Sequence, residues 1–349
     1  MKKLGILIVL LLMGTTVVAQ YPQGKLVVDH LYAESLENDA GENPTRRVTI
    51  YLPPKYEKST KPYPVIYYLH GFTWSDSLQI SWDKFDKILD KAIGMGKIKP
   101  AIVVMPNQHT LYRGSFYTNS TLTGNWSDFT AIDLVNYIDN KFRTIPKRES
   151  RGIAGHSMGG SGAIKIGMLY PDVFSCVYGI SPAVMGMVKG WGPSYPGYKR
   201  AQEIETREEL ISGYKDFDAN AAVAIGRAFS PNPKNPPFYA DLPYAYENDN
   251  LVVNYKTIKK WKENMPLHMA EDYVDNLKKL KALKFDWGKN EEFRYVVQGC
   301  EAFSRELEIL GINHYAEEYL GKHFDKVWTD DGRALHSVLP FFDAYLEFK

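Results

Sequence analysis

The stretch Gly155-His156-Ser157-Met158-Gly159 constrains this chain more than any other, because it joins two segments of different periodicity through a single serine. Before it, Arg151 to Ala154 reads as a short strand; after it, Gly159 to Leu169 reads as a helix. A G-x-S-x-G pattern arises by chance in about one chain of this length in ten, so the flanking segments carry the weight. A strand that turns directly into a helix at a serine makes a sharp, strained corner. Glycines are needed on both sides of it, where a Cβ would collide with a neighbouring strand or helix. Such a corner exposes a hydroxyl at the carboxyl edge of a sheet, which makes Ser157 the candidate nucleophile.

The rest of the chain supplies that sheet. Short β-rich runs alternate with helical stretches, the pattern of an α/β protein with a mostly parallel central sheet and helices on both faces. Lys25 to Leu31 and Arg46 to Leu52 follow one another across a turn-rich segment and predict an antiparallel hairpin at the sheet edge. Pro64 to Leu69 and Ala101 to Met105 are near-continuous apolar runs, as expected of strands buried on both faces. Asp128 to Phe142 spaces Phe129, Ile132, Val135, Ile138 and Phe142 along one helical stripe. Cys176 to Ile180, Leu280 to Trp287 and Tyr315 to Tyr319 read as later strands, with helices from about Glu292 to Leu310 and His336 to Leu346. Between them, residues 183 to 276 break the rhythm with Gly, Pro and aromatic clusters, too long for a plain connection, and read as an inserted lid within a catalytic domain spanning residues 20 to 349.

Lys2 and Lys3, the apolar run Leu4 to Met13 and the small-residue stretch ending at Ala19 have the order of a signal peptide over residues 1 to 19. The run is shorter than the roughly 20 apolar residues of a membrane span, and no cysteine stands near the cleavage point to carry a lipid. A secreted or periplasmic protein, free of the membrane after processing, is expected. Loss of the two lysines leaves 40 Lys and Arg against 41 Asp and Glu, a balance that recruits neither nucleic acid nor anionic lipid. Cys176 and Cys300 each lie in an apolar segment, where a lone buried thiol is commoner than a disulfide.

A serine hydroxyl needs a base, and the base needs an orienting acid. Of the histidines after Ser157, His323 falls in the loop past the last strand, where an imidazole would hang over the serine; His336 lies in the final helix and is the lesser candidate. The loop after the preceding strand offers Asp286, Glu291 and Glu292. Glu291 is preferred, because Asp286 sits within the strand pattern and Glu292 suits the first turn of the next helix. A tetrahedral oxyanion requires preorganised N–H donors. The amides of Met158 and of Phe72, in the turn Leu69-His70-Gly71-Phe72, are the candidates; His70 itself reads as structural. His156, Tyr117 and Trp126 are candidate substrate-binding residues, Tyr117 and Trp126 sharing with His109 and Tyr112 a loop region from which such sheets build pockets. Trp191, Tyr195, Phe238 and Tyr239 in the insertion are placed to close over a substrate. No metal-ligand spacing and no cofactor motif is visible, so neither a metal nor a cofactor is expected. Asn119-Ser120-Thr121 and Asn125-Trp126-Ser127 match glycan-acceptor patterns.

At YYLHGF, GSFYTNSTLTGNWSDF, ESRGIAGHSMGGSGA and YLGKHF, with LPFF behind it, the chain resembles the putative-esterase family of α/β hydrolases, which includes esterase D-like enzymes, feruloyl and acetyl-xylan esterases and mycolyltransferase antigens. The resemblance implies the α/β-hydrolase fold and ester chemistry on a small-molecule or oligosaccharide substrate, and supports Ser157 and His323 by position. It departs at the acid, commonly aspartate in such enzymes. Three functions fit these residues: an esterase acting through an acyl-enzyme, an acyltransferase with the same triad, and a non-catalytic carbohydrate-binding module on the same fold. The sequence does not indicate an oligomeric state.

Overall fold

The structure, a computed structural model, describes residues 21–349; the expected signal peptide lies outside them. Eight strands form the central sheet: β1 (Lys25–Tyr32), β2 (Thr45–Leu52), β3 (Val65–Leu69), β4 (Ile102–Pro106), β5 (Arg151–His156), β6 (Cys176–Ile180), β7 (Ala282–Gly288) and β8 (Tyr315–Tyr319). Their spatial order is β1-β2-β4-β3-β5-β6-β7-β8. Only β2 runs against the rest, pairing antiparallel with β1 and β4; the other neighbours pair parallel. The expected edge hairpin is present, in a register that pairs Lys25 with Leu52 and Tyr32 with Thr45.

Helices cover both faces, which explains the unbroken apolar strands. In β3 the side chains of Val65, Tyr67 and Leu69 join one core, and those of Ile66 and Tyr68 join the other. A strand whose alternate residues are both buried has no position to spend on a polar side chain. The first core packs beneath α3 (Leu134–Lys141) and α4 (Met158–Leu169), the second beneath α2 (Phe85–Gly94) and α7 (Leu339–Tyr345). Cys176 and Cys300 are buried free thiols. Among the described residues, no helix is long and apolar enough to cross a membrane.

The predicted stripe over residues 128 to 142 is corrected at one point. Residues Phe129–Asp133 form a wide π turn leading into α3. The wider turn advances fewer degrees per residue than an α-helix, so Ile132 rotates outward to 46% exposure while Leu134, Val135 and Ile138 face the core. Between β6 and β7 the chain leaves the sheet for residues 183–276, which hold several helices, including α5 (Phe217–Phe229), and a small hairpin of Tyr244–Glu247 with Asn250–Val253.

Parallel strands end on one edge. The register aligns Leu69 of β3 with Gly155 of β5, His156 of β5 with Ile180 of β6, and Gly288 of β7 with Tyr319 of β8, so the loops that follow converge there. At the β5–α4 corner, a Cβ on Gly155 would stand 2.4 Å from the Gly159 carbonyl oxygen, and one on Gly159 would stand 2.1 Å from the carbonyl oxygen of Leu69. Both obstacles are backbone and cannot swing away. Gly159→Ala is therefore expected to destabilise the protein by about 3 kcal/mol or more; a thermal melt within about 2 °C of the parent would contradict this packing.

Candidate functional site

Ser157 occupies the corner between β5 and α4 with φ 59° and ψ −117°, a conformation rarely adopted by a residue with a Cβ and sustained only by its surroundings. Its N–H donates to the Ile180 carbonyl at 2.9 Å, and its carbonyl accepts from Ala183 and Ser161 at 3.1 Å each. These bonds clamp the corner to the end of β6. The hydroxyl consequently projects at the carboxyl edge of the sheet.

Two loops bring its partners. Past β7 and β8 the chain is zipped together: Lys289 N–H donates to the Tyr319 carbonyl at 2.8 Å, and Asn290 N–H to the Gly321 carbonyl at 2.9 Å. This pairing continues the parallel ladder beyond the sheet and sets Glu291 against His323. Nδ1 of His323 lies 2.8 Å from Oε2 of Glu291, and Nε2 lies 2.9 Å from the Ser157 Oγ. With the Nδ1 proton directed to a carboxylate, Nε2 is left to accept from the hydroxyl. Glu291 is itself oriented by the Phe293 N–H, which donates to Oε1 at 3.1 Å.

The imidazole is fixed from three further sides. Glu292 accepts the His323 backbone N–H at 3.1 Å, the His156 Nε2–H donates to the His323 carbonyl at 2.7 Å, and the Phe293 ring meets the imidazole edge to face at 4.9 Å. Burial pushes the His323 imidazole below its ordinary value and raises the Glu291 carboxyl, against the pull of the Phe293 amide. A neutral imidazole is what a base requires.

The other sequence candidates divide by position. Asp286 is fully buried and closed off by Arg333 and the Tyr178 hydroxyl, and Glu292 serves the backbone of the His323 loop, so neither competes with Glu291. His336 is exposed and bonded to the Asp330 carbonyl. His70 bridges two loops, its Nδ1–H donating to the Gly71 carbonyl at 2.8 Å while Nε2 accepts from Gln108 N–H at 2.9 Å; it holds the turn carrying Phe72. The N–H groups of Phe72 and Met158 find no acceptor among the described residues, and both residues line the same pocket as Ser157.

His156 also lines that pocket, and Trp191 from the insertion forms part of its wall. Tyr117 and Trp126 do not, and are corrected. Tyr117 lies fully buried beneath α4 against Gly162, with its hydroxyl donating to the His70 carbonyl at 2.8 Å. Trp126 is sealed in a separate cluster with Ala33, Leu36 and Phe129. These two side chains turn under the sheet-covering helix, while Phe116 of the same loop reaches the pocket. Tyr195 backs Trp191 at 4.6 Å, whereas Phe238 borders a different cavity inside the insertion.

The pocket, about 270 Å³, is walled largely by aromatic side chains, among them Phe116, Phe217, Phe293, Tyr295, Phe324 and Trp328. Sequence reasoning passed over all six. Phe293 and Phe324 carried a signal, standing two residues from Glu291 and one from His323, as did Phe116 beside Tyr117 in the candidate pocket loop; the others carried none. Among the described residues, no group of three or more His, Cys, Asp or Glu is arranged to hold a metal. A serine hydroxyl bonded to a buried imidazole, a carboxyl group on the far side of that ring, two unengaged amides and an apolar pocket are the parts that acyl transfer requires.

A family model described as Putative esterase matches residues 42–331. An esterase of Mycobacterium tuberculosis is 33% identical over 132 residues, 37% of this chain and 27% of that protein. An endo-1,4-beta-xylanase/feruloyl esterase of Xylanibacter ruminicola is 36% identical over 140 residues, 36% of this chain and 18% of that protein. The chain thus spans only a minor part of the length of these relatives. Among solved structures, a ferulic acid esterase superposes with a TM-score of 0.63 at 22% identity, over 93% of this chain and 100% of that one, a likeness of fold.

An imidazole held below its ordinary value of 6.5 is neutral above that pH and protonates only as pH falls through the lowered value. The rate of Ser157 phosphorylation by an organofluorophosphate is therefore expected to stay level from about pH 8 down through 6.5 and to fall only as pH approaches the lowered value of about 3. A midpoint at or above about pH 6.5, the ordinary value, would show that burial does not control this group.

Proposed function

Because the chain belongs to the Putative esterase family, we propose that it is an exported serine esterase that hydrolyses carboxylic esters through an acyl-enzyme. The observation that carries the proposal is the continuous chain from Ser157 Oγ through the His323 imidazole to the Glu291 carboxylate, opening on an aromatic pocket. His323 takes the hydroxyl proton as Oγ attacks the ester carbonyl. Glu291 stabilises the imidazolium so formed. The amides of Met158 and Phe72 receive the oxyanion. Collapse of the tetrahedral intermediate expels the alcohol, which leaves with the proton from His323, and a water activated by the same imidazole then releases the acid.

The aromatic wall favours a flat, unsaturated acyl group over acetyl, because ring-on-ring contacts reward planar surface. An acyl ester on a carbohydrate, feruloyl in type, is the substrate we assign, consistent with the feruloyl esterase activity named for the Xylanibacter relative. Residues 183–276 act as a lid, contributing Trp191, Tyr214 and Phe217 to the pocket. Residues 1–19 direct export.

Ser157→Ala is expected to lower kcat/KM on methyl ferulate and p-nitrophenyl acetate by about 10³-fold or more, and Glu291→Gln by about 10²-fold to 10⁴-fold, with the folded state retained by circular dichroism. Turnover surviving in Ser157→Ala would remove the mechanism. Hydrolysis products recovered in the presence of a competing alcohol or sugar distinguish a hydrolase from an acyltransferase, and carbohydrate binding without turnover would mark a non-catalytic module.

A further inference from the structure

Two polar groups in the pocket wall, the Gln79 carboxamide and the Trp328 indole N–H, have no hydrogen-bond partner among the described residues and are left unused by this mechanism; of the two only the carboxamide can both donate and accept. Gln79 lies in α1 (Asp76–Ser81), the helix that follows the Phe72 turn, and is 1% exposed. Neither its Oε1 nor its Nε2 has a hydrogen-bond partner among the described residues, yet the residue borders the same pocket as Ser157. Asp76, one turn earlier and equally buried, is tied through one carboxylate oxygen: Oδ2 accepts from Arg47 at 2.6 Å and from the Thr49 hydroxyl at 2.5 Å, while Oδ1 has no partner among the described residues. The adjoining wall residue Trp74 is also tied down, its indole N–H donating to Asp83 at 2.9 Å. In Gln79 neither polar atom is engaged. A buried carboxamide with no partner is a net cost to folding, and an apolar residue of the same length would remove it.

The chemistry of the partner follows from the carboxamide. It offers donors on Nε2 and an acceptor on Oε1 side by side. An anion would satisfy only the donors and a cation only the acceptor. A hydroxyl donates and accepts at once. The surrounding wall is aromatic, so a hydroxyl carried into it has few other partners.

We propose that Gln79 reads a hydroxyl group of the bound ester, giving an otherwise apolar pocket its polar selectivity. This rests on the esterase reading above and deepens it. The hydroxyl has two possible sources, a ring hydroxyl of an aromatic acyl group and a hydroxyl of the sugar it esterifies. Sites built to bond a substrate hydroxyl discriminate strongly against the analogue that lacks it.

The test compares kcat/KM in the parent and in Gln79→Met on two pairs of esters, methyl 4-hydroxycinnamate against methyl cinnamate, and an acetylated methyl xyloside against cyclohexyl acetate, with p-nitrophenyl acetate as a general ester. The parent should prefer the hydroxylated member of one pair by about tenfold or more, and the pair concerned identifies the source. In Gln79→Met that ratio should fall to about one while the thermal midpoint holds or rises. A ratio unaltered by the substitution, or a lowered midpoint with both members of each pair falling alike, overturns the assignment while leaving the esterase reading intact. No turnover of any ester, p-nitrophenyl acetate included, overturns both.

Discussion

Where α4 meets the end of β3, the Gly159 Cα lies so close to the Leu69 carbonyl that no methyl group fits between them. Everything at the site depends on that contact. It lets the chain turn from β5 into α4 within one residue, and it holds Ser157 at positive φ with its hydroxyl clear of the sheet. The strain is local; what sustains it is distributed. Backbone bonds from Ser157 to Ile180 and Ala183 anchor the corner to β6, and His70 and Tyr117 brace the turn that carries Phe72 from beneath. A corner of this kind is stable only inside a sheet already assembled on both sides.

The second dependence is on the pairing of the loops beyond β7 and β8. Glu291 and His323 stand far apart in the chain, and their alignment comes from two backbone hydrogen bonds that prolong the ladder past the strand ends. Side chains held by backbone pairing keep their geometry more reliably than side chains held only by one another, because the ladder restricts both loops at once. His156 adds a cross-tie from the serine strand to the carbonyl of His323. The residue beside Ser157 thus positions the His323 imidazole, and the aromatic packing of Phe293 and Phe324 on that ring excludes water from it. The same exclusion keeps the imidazole neutral.

Legibility in the sequence followed the range of the interaction. The β5–α4 corner was readable because its glycines, serine and flanking periodicities are contiguous. That Asp286 belongs to the strand and Glu291 to the loop beyond it was readable from strand pattern; Asp286 closes on Arg333. Tyr117 and Trp126 were misplaced because an aromatic residue in a long loop looks the same whether its side chain lines a pocket or lies under a helix. Gln79, Phe217 and Trp328 left no mark, because they reach the pocket from three segments remote from one another and from Ser157. The slip at Ile132 came from a π turn, which no spacing of apolar residues announces.

By itself the sequence determined the α/β class, the order of the strands along the chain and the strained corner at Ser157, because these follow from local periodicity and from which residue types tolerate a strained turn. Only the tertiary structure decided the order of strands in space, the joining of Glu291, His323 and Ser157 through hydrogen bonds of 2.8 and 2.9 Å, and the aromatic character of the pocket. Those depend on contacts between residues 32 to 166 positions apart in the triad alone, whose energies are set by the packing of whole layers and leave no periodic trace in any one of them.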